Sequence, residues 1–325
     1  MNKNIYETFG CRLNHYETEV IKKLTSEVGL NNLAIVNTCA VTTEAVRQAK
    51  QKIRKLKRQN PKSFVIVTGC AAQVEAATFS SMNEVSLVLG NTEKVDKKTW
   101  TKIANKKIFK STGKTQTISS DIMKITKPSK EFVKKIESRT RAFIEVQNGC
   151  NHRCTFCIIP FARGNSRSVP KLKVLERIRY LVDQGYKEIV LTGVDLTAWG
   201  EDFSKPIKLG NLLQTILKEI PQLPRLRLSS VDTVELDTEF LDVLKSNTRL
   251  MPHLHISAQA GDDMILKRMK RRHLRSNTVE FCSSIRDIRP DVTFGADLIA
   301  GFPTETDEMF KNSLNLIKDC GLTWL

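Results

Sequence analysis

A chain of 325 residues with 40% hydrophobic content is long enough for two domains with sizeable cores and is ordinary for a globular protein. No apolar run reaches membrane-spanning length, and Met1-Asn2-Lys3-Asn4-Ile5 lacks the apolar centre of a signal peptide, so a cytoplasmic protein with no membrane partner is expected. The net charge of +17 fits a polyanionic partner, nucleic acid ahead of a membrane surface, or equally the Lys- and Asn-rich coding of an AT-rich genome.

The first domain, residues 1–105, alternates strands and helices. Ile5 to Phe9 reads as a strand ending at Gly10-Cys11, followed by a helix from about Glu17 to Val28. Leu33 to Asn37 is an apolar strand ending at Thr38-Cys39. The next helix starts near Thr43 and carries Arg47, Lys50, Lys52, Arg54, Lys55, Lys57 and Arg58. Phe64 to Thr68 is a strand ending at Gly69-Cys70, and a further strand, Val85 to Leu89, and a helix close the unit. This order predicts an open parallel α/β sheet covered by helices. Cys11, Cys39 and Cys70 each stand just past a strand end, where open α/β sheets build their sites. Parallel neighbouring strands would bring them to one rim as a three-cysteine cluster. The plainer reading is three unrelated buried thiols.

Residues 106–139 are polar, basic and weakly periodic, and read as a linker. From residue 140 to 325 the alternation resumes. Strands are predicted at Ala142 to Val146, Glu188 to Thr192, Arg225 to Ser229, His253 to Ser257 and Thr293 to Ile299. Helices are predicted near Leu172 to Gln184, Leu209 to Glu219, Asp237 to Lys245, Met264 to Met269, Ser276 to Ile288 and Asp307 to Asp319. Gly321-Leu322-Thr323-Trp324-Leu325 reads as a sixth strand beginning. The pattern implies a partial (βα)6 barrel with its reactive face at the C-terminal strand ends.

Within this domain Cys150-Asn151-His152-Arg153-Cys154-Thr155-Phe156-Cys157 places three thiols in eight residues after a strand. Thiols this close on one loop are badly placed for mutual disulfides and suit a soft metal centre. Zinc would need a fourth ligand, with His152 available. A four-iron cluster on three cysteines would leave one iron free for another ligand. His253 and His255 share one face of a strand and read as lining rather than as ligands. Cys282 and Cys320 read as core or surface thiols.

The C-x3-C-x2-C loop with Phe156 before its last cysteine, continued by Ile158-Ile159-Pro160-Phe161-Ala162-Arg163-Gly164, resembles the signature of the radical S-adenosylmethionine (SAM) methylthiotransferases. Thr8-Phe9-Gly10-Cys11-Arg12-Leu13-Asn14, Asn37-Thr38-Cys39-Ala40-Val41-Thr42 and Val67-Thr68-Gly69-Cys70-Ala71 look like the three cysteine motifs of that family's N-terminal domain. Leu191-Thr192-Gly193-Val194-Asp195, Arg227-Leu228-Ser229-Ser230 and Asp297-Leu298-Ile299-Ala300-Gly301-Phe302-Pro303 extend the likeness. Thr304 departs from it, standing where the family often has glycine, and the chain is several residues short between the first two motifs.

The resemblance implies two [4Fe–4S] clusters and SAM as cofactors. Cys150, Cys154 and Cys157 would hold the cluster that cleaves SAM. Cys11, Cys39 and Cys70 would hold an auxiliary cluster involved in sulfur delivery. By position in the family pattern, Thr192, Gly193, Ser229, Ser230 and Gly301 would contact SAM. The substrate implied is a hypermodified adenosine beside a tRNA anticodon loop. The wording is nearest the threonylcarbamoyladenosine branch, with the isopentenyladenosine and ribosomal-protein branches as alternatives. A flavodoxin- or ferredoxin-like electron donor would be a partner, and DNA would not. Arg163 and Arg167 would meet RNA phosphate or SAM carboxylate, or shield cluster charge, and Lys267 to Arg272 would touch the tRNA backbone. Family members continue into a small C-terminal β-barrel that grips RNA, so a truncated, non-catalytic remnant and a zinc-bound nucleic-acid module remain competing readings.

Overall fold

The computed structural model describes residues 3–105, 115–133 and 140–325. Its contacts divide the chain into two compact units. The first holds the described residues before 134 together with Gly149–Asn151 and Ile158–Asn165. The second holds the described residues through Asn148, His152–Cys157 and Ser166–Leu325.

In the first unit β1 (Ile5–Thr8), α1 (Arg12–Glu27), β2 (Leu33–Thr38), α2 (Thr43–Gln59) and β3 (Phe64–Gly69) follow one another. Then come α3 (Cys70–Val74), α4 (Ala76–Ser80), β4 (Leu87–Leu89), α5 (Lys97–Ala104) and β5 (Gln116–Ile118). The five strands pair in sequence order, all parallel. Every residue of β2 is buried, as expected of a parallel strand covered on both faces. Val36, Val65, Val67, Ile53, Leu56 and Phe79 form the core between sheet and helices.

Two sequence expectations need correction here. Helix α1 begins at Arg12, not near Glu17, because Leu13, Tyr16, Val20, Ile21 and Leu24 form one apolar stripe. Buried Asn14, Glu17 and Thr18 interrupt that stripe in the sequence. Part of the expected linker is not a linker: Gln116–Ile118 pairs with β4 as the fifth strand. Residues 106–114 and 134–139 of that linker lie outside the described residues.

The second unit opens with β6 (Ala142–Glu145) and β7 (Gln147–Asn148). Helix α6 (Ile159–Arg163) packs with the first unit, and β8 (Arg167–Ser168) returns to pair antiparallel with β7. The alternation continues with α7 (Lys171–Asp183), β9 (Glu188–Thr192), α8 (Leu209–Glu219), β10 (Arg225–Leu228), β11 (Ser230–Val231) and α9 (Thr238–Ser246). It ends with β12 (His253–Gln259), α10 (Asp263–Arg268), α11 (Arg275–Ile288), β13 (Thr293–Leu298), α12 (Asp307–Asp319) and β14 (Leu322–Trp324). Two parallel sheets result, β6-β9-β10 and β11-β12-β13-β14. Only Ser229 separates β10 from β11, so the parallel strands run in chain order in the manner of a partial (βα)6 barrel. The expected sixth strand is β14.

Candidate cluster and SAM sites

Thr8 lies opposite Asn37, and Asn37 opposite Thr68, so β1, β2 and β3 finish at one edge of the first sheet. Cys11 precedes α1 as its N-cap, Cys39 follows β2 directly, and Cys70 opens α3 directly after β3. Cys39 and Cys70 are buried, whereas Cys11 is exposed. Gly10 sits at φ +94°, and a Cβ there would come within 2.7 Å of Cys39 Cβ and 2.8 Å of its Sγ. Only glycine lets the loop before Cys11 approach Cys39 this closely. The Val41 amide donates to Cys39 Sγ at 3.5 Å, and Asn91 Nδ2 lies 3.9 Å from Cys70 Sγ. Burial pushes the Cys39 thiol up, and Cys70 and Cys11 add to the rise; the Val41 amide and Arg163 oppose it. Three cysteines at one sheet edge, with N–H donors beside Cys39 and Cys70 sulfur, fit a cationic iron–sulfur core.

The eight-residue cysteine loop is divided between the units, Cys150 with the first and Cys154 and Cys157 with the second. In the first unit the Cys150 amide donates to the Gly164 carbonyl at 3.0 Å. Gly149, at φ +75°, leaves no room for a Cβ, which would fall 2.0 Å from the Asn165 carbonyl oxygen. In the second unit Cys157 N donates to Cys154 O at 3.1 Å, closing a tight turn. Thr155 fastens that turn to the end of α10, its amide to Met269 O at 3.2 Å and its hydroxyl to Arg268 O at 2.9 Å. Arg271 Nη1 stands 3.8 Å from Cys154 Sγ. All three loop cysteines are half-buried.

Thr192 and Ser229 are buried at the ends of β9 and β10, and the Gly193 amide faces Ser229 Oγ at 3.4 Å. Ser230 is exposed at the start of β11 and pairs with His255. Gly301 is exposed after β13, with its amide on Glu305 Oε2 at 2.6 Å. Thr192, Gly193 and Ser229 are thus brought together, while Gly301 belongs to a separate strand end.

The residues match two family profiles, the radical SAM superfamily over 144–317 and the uncharacterized protein family UPF0004 over 3–90. The chain is 49% identical over 318 residues to the threonylcarbamoyladenosine tRNA methylthiotransferase of Rickettsia prowazekii, covering 98% of this chain and 73% of that one. This chain belongs to the radical SAM methylthiotransferases. The corresponding protein of Aquifex aeolicus is 34% identical, with 99% of this chain and 79% of that one covered. The tRNA-2-methylthio-N(6)-dimethylallyladenosine synthase of Ehrlichia canis is 31% identical, with 97% and 74% covered. Among solved structures, the radical SAM methyltransferase TsrM of Kitasatospora setae, with cobalamin and a [4Fe–4S] cluster bound, superimposes with a TM-score of 0.69. The identity is 13%, over 99% of this chain and 71% of that one, which shows a shared fold. Methylthiotransferases of this family use SAM and [4Fe–4S] clusters.

In this methylthiotransferase several polar interactions around the loop escaped the sequence reading. Gln147 Oε1 accepts from the amides of Val194 and Asp195, both at 2.9 Å, and its Nε2 donates to Ser166 Oγ at 2.9 Å. One side chain thereby sets the turn after β9. His152 Nε2 lies 3.1 Å from Asp195 Oδ2 and 3.5 Å from Glu235 Oε1. Those two carboxylates push the imidazole up to about 9 and keep it cationic. Burial would raise the Glu235 carboxyl, but His152, Arg272 and Thr197 together hold it down at about 2. Their partners come from distant strand ends, so spacing alone carried no signal. One expectation of RNA contact fails. Arg163 and Arg167 are 1% and 6% exposed and cannot meet RNA phosphate. In the basic run, Arg271 is turned to Asp232 at 2.8 Å, Arg272 to Glu235, and Arg268 to the Thr304 carbonyl at 3.0 Å. Among the described residues only Lys267 and Lys270 of that run are exposed without a bonded partner. His255 faces Asp297 at 3.4 Å, and Cys282 and Cys320 are core thiols.

Proposed function

We propose that the chain methylthiolates N6-threonylcarbamoyladenosine beside the anticodon of tRNA. The observation that carries this reading is the 49% identity, over nearly the whole chain, to a relative named for that reaction. In this reading Cys150, Cys154 and Cys157 hold the cluster that binds SAM, and Cys11, Cys39 and Cys70 hold an auxiliary cluster. Thr192, Gly193, Ser229, Ser230 and Gly301 line the SAM site. When bound, the iron–sulfur clusters and SAM supply the radical and the sulfur chemistry. The chain's own residues perform the rest. Gly193, half-buried and without a side chain, lets the backbone approach SAM closely, and Gln147 fixes the turn that presents it. Thr155 anchors the turn that carries Cys154 and Cys157 to the end of α10. A flavodoxin- or ferredoxin-like protein is the electron donor, and the two compact units act as the two functional domains, in the cytoplasm.

The test is nucleoside mass spectrometry of tRNA after incubation with the anaerobically reconstituted protein, SAM and a reductant. Conversion of threonylcarbamoyladenosine to its methylthio form is expected. Modification of dimethylallyladenosine alone would reassign the substrate, and unchanged nucleosides would overturn the reading.

A further inference from the structure

The first unit buries a charged cluster in its interior. Glu17, Lys94 and Arg163 are 2%, 0% and 1% exposed. Lys94 Nζ reaches Glu17 Oε2 at 2.6 Å, and Arg163 clamps the same carboxylate with Nη1 on Oε1 at 2.8 Å and Nη2 on Oε2 at 3.0 Å. Buried ions are costly to desolvate, so such a group is weak evidence for stability and calls for another use.

Its surroundings suggest one. Arg163 Nη2 also donates to Asn14 Oδ1 at 2.5 Å. The Asn14 amide in turn binds the carbonyls of Phe9 at 2.7 Å and Thr38 at 3.0 Å, the backbone leading to Cys11 and Cys39. The neighbouring carbonyl, Ala162 O, accepts from Asn91 Nδ2 at 2.7 Å, and that nitrogen is the one beside Cys70 Sγ. Residues 162 and 163 are therefore linked to the three loops that carry Cys11, Cys39 and Cys70. Burial disfavours the Arg163 cation, yet its pKa lies well above the ordinary value, and Cys70 is the strongest charge favouring it, ahead of Glu17, with Cys11 also contributing.

We propose that Arg163 is a positioning residue of the Cys11/Cys39/Cys70 triad: its guanidinium, fixed by Glu17 and Asn14, is the counter-charge of the cluster held there and raises that cluster's reduction potential. The inference rests on the reading of the triad as cluster ligands. A [4Fe–4S]2+ core on three thiolates takes one electron from an external reductant such as dithionite, becomes [4Fe–4S]+, and moves no proton. Negative charge on the cluster grows by one unit, so a fixed cation favours the reduced form. Arg163 lies six residues after Cys157, so the segment leaving the SAM-cluster loop serves the other cluster.

The experiment is an EPR-monitored redox titration of the full chain carrying Cys150→Ala, Cys154→Ala and Cys157→Ala, which leaves one cluster to observe. Arg163→Gln should lower the reduced-to-oxidised ratio at fixed potential by about tenfold, equal to about 59 mV for a one-electron couple. Arg163→Lys should restore most of it. Glu17→Gln, which strips the guanidinium of its carboxylate, should shift the ratio the opposite way. Shifts of the same sign, or no shift with iron still bound, would overturn the proposal. Absence of iron from the parent variant would instead overturn the ligand reading beneath it.

Discussion

Thr304 shows how one backbone angle explains a departure in the sequence. Its φ is +72°, a left-handed conformation that costs a β-branched residue about 1–3 kcal/mol and glycine almost nothing. Glycine, the residue the family resemblance implies at this position, adopts that conformation without strain. Thr304→Gly should raise the stability of the second unit by about 1 kcal/mol after the larger unfolded-state entropy of glycine is subtracted. Chemical denaturation reads this directly; an unchanged or lowered midpoint would contradict it. Glu17 governs a pH dependence. Burial alone would raise its carboxyl, but Arg163 and Lys94 outweigh that and hold it at about 2, against 4.5 when exposed. A carboxyl lowered in the folded state stabilises above the unfolded value and loses that contribution as pH falls towards the folded one. The cluster-free protein should therefore lose about 3 kcal/mol between about pH 5 and pH 2, and Glu17→Gln should flatten this acid limb in denaturant titrations. A variant as acid-sensitive as the parent would refute this assignment.

At the scale of elements, α2 shows which features the sequence carried and which it could not. Ala49, Ile53 and Leu56 recur at helical spacing and are the buried face, so the helix was legible from periodicity. Its basic face was also legible, but its use was not. Lys52 is spent on Glu7 at 2.8 Å, Lys57 on the Ser63 carbonyl at 2.9 Å, Lys50 lies over the Phe79 ring, and Arg47 pairs with Glu44. Arg54, Lys55 and Arg58 remain exposed. Thr42 caps the helix by accepting from the Ala45 amide at 3.1 Å. Thr42→Ala should cost about 1 kcal/mol, measured as a lowered denaturation midpoint, and Thr42→Ser should cost little. Equal effects of the two would contradict a capping role. Strand β5 was missed because three residues in a polar, basic stretch give no period-2 pattern long enough to detect. The start of α1 was missed because Asn14 and Glu17, buried for their partners, look like surface residues in the sequence.

For the whole molecule, the order of strands and the carboxyl-end placement of the cysteines followed from alternation alone, since parallel neighbours in chain order must finish together. The partners of Arg163, Gln147 and His152 did not, because each lies far away in the chain, up to 149 residues for Arg163 and Asn14. The family assignment rests on agreement over 98% of the chain, and the cofactor chemistry on two separate sets of thiols. The measurement that tests this most directly is iron and acid-labile sulfide per chain after anaerobic reconstitution. The account predicts about eight irons for the parent, and about four when either Cys11/Cys39/Cys70 or Cys150/Cys154/Cys157 is replaced by alanine. About four irons in the parent, or loss of all iron from either variant, would contradict it.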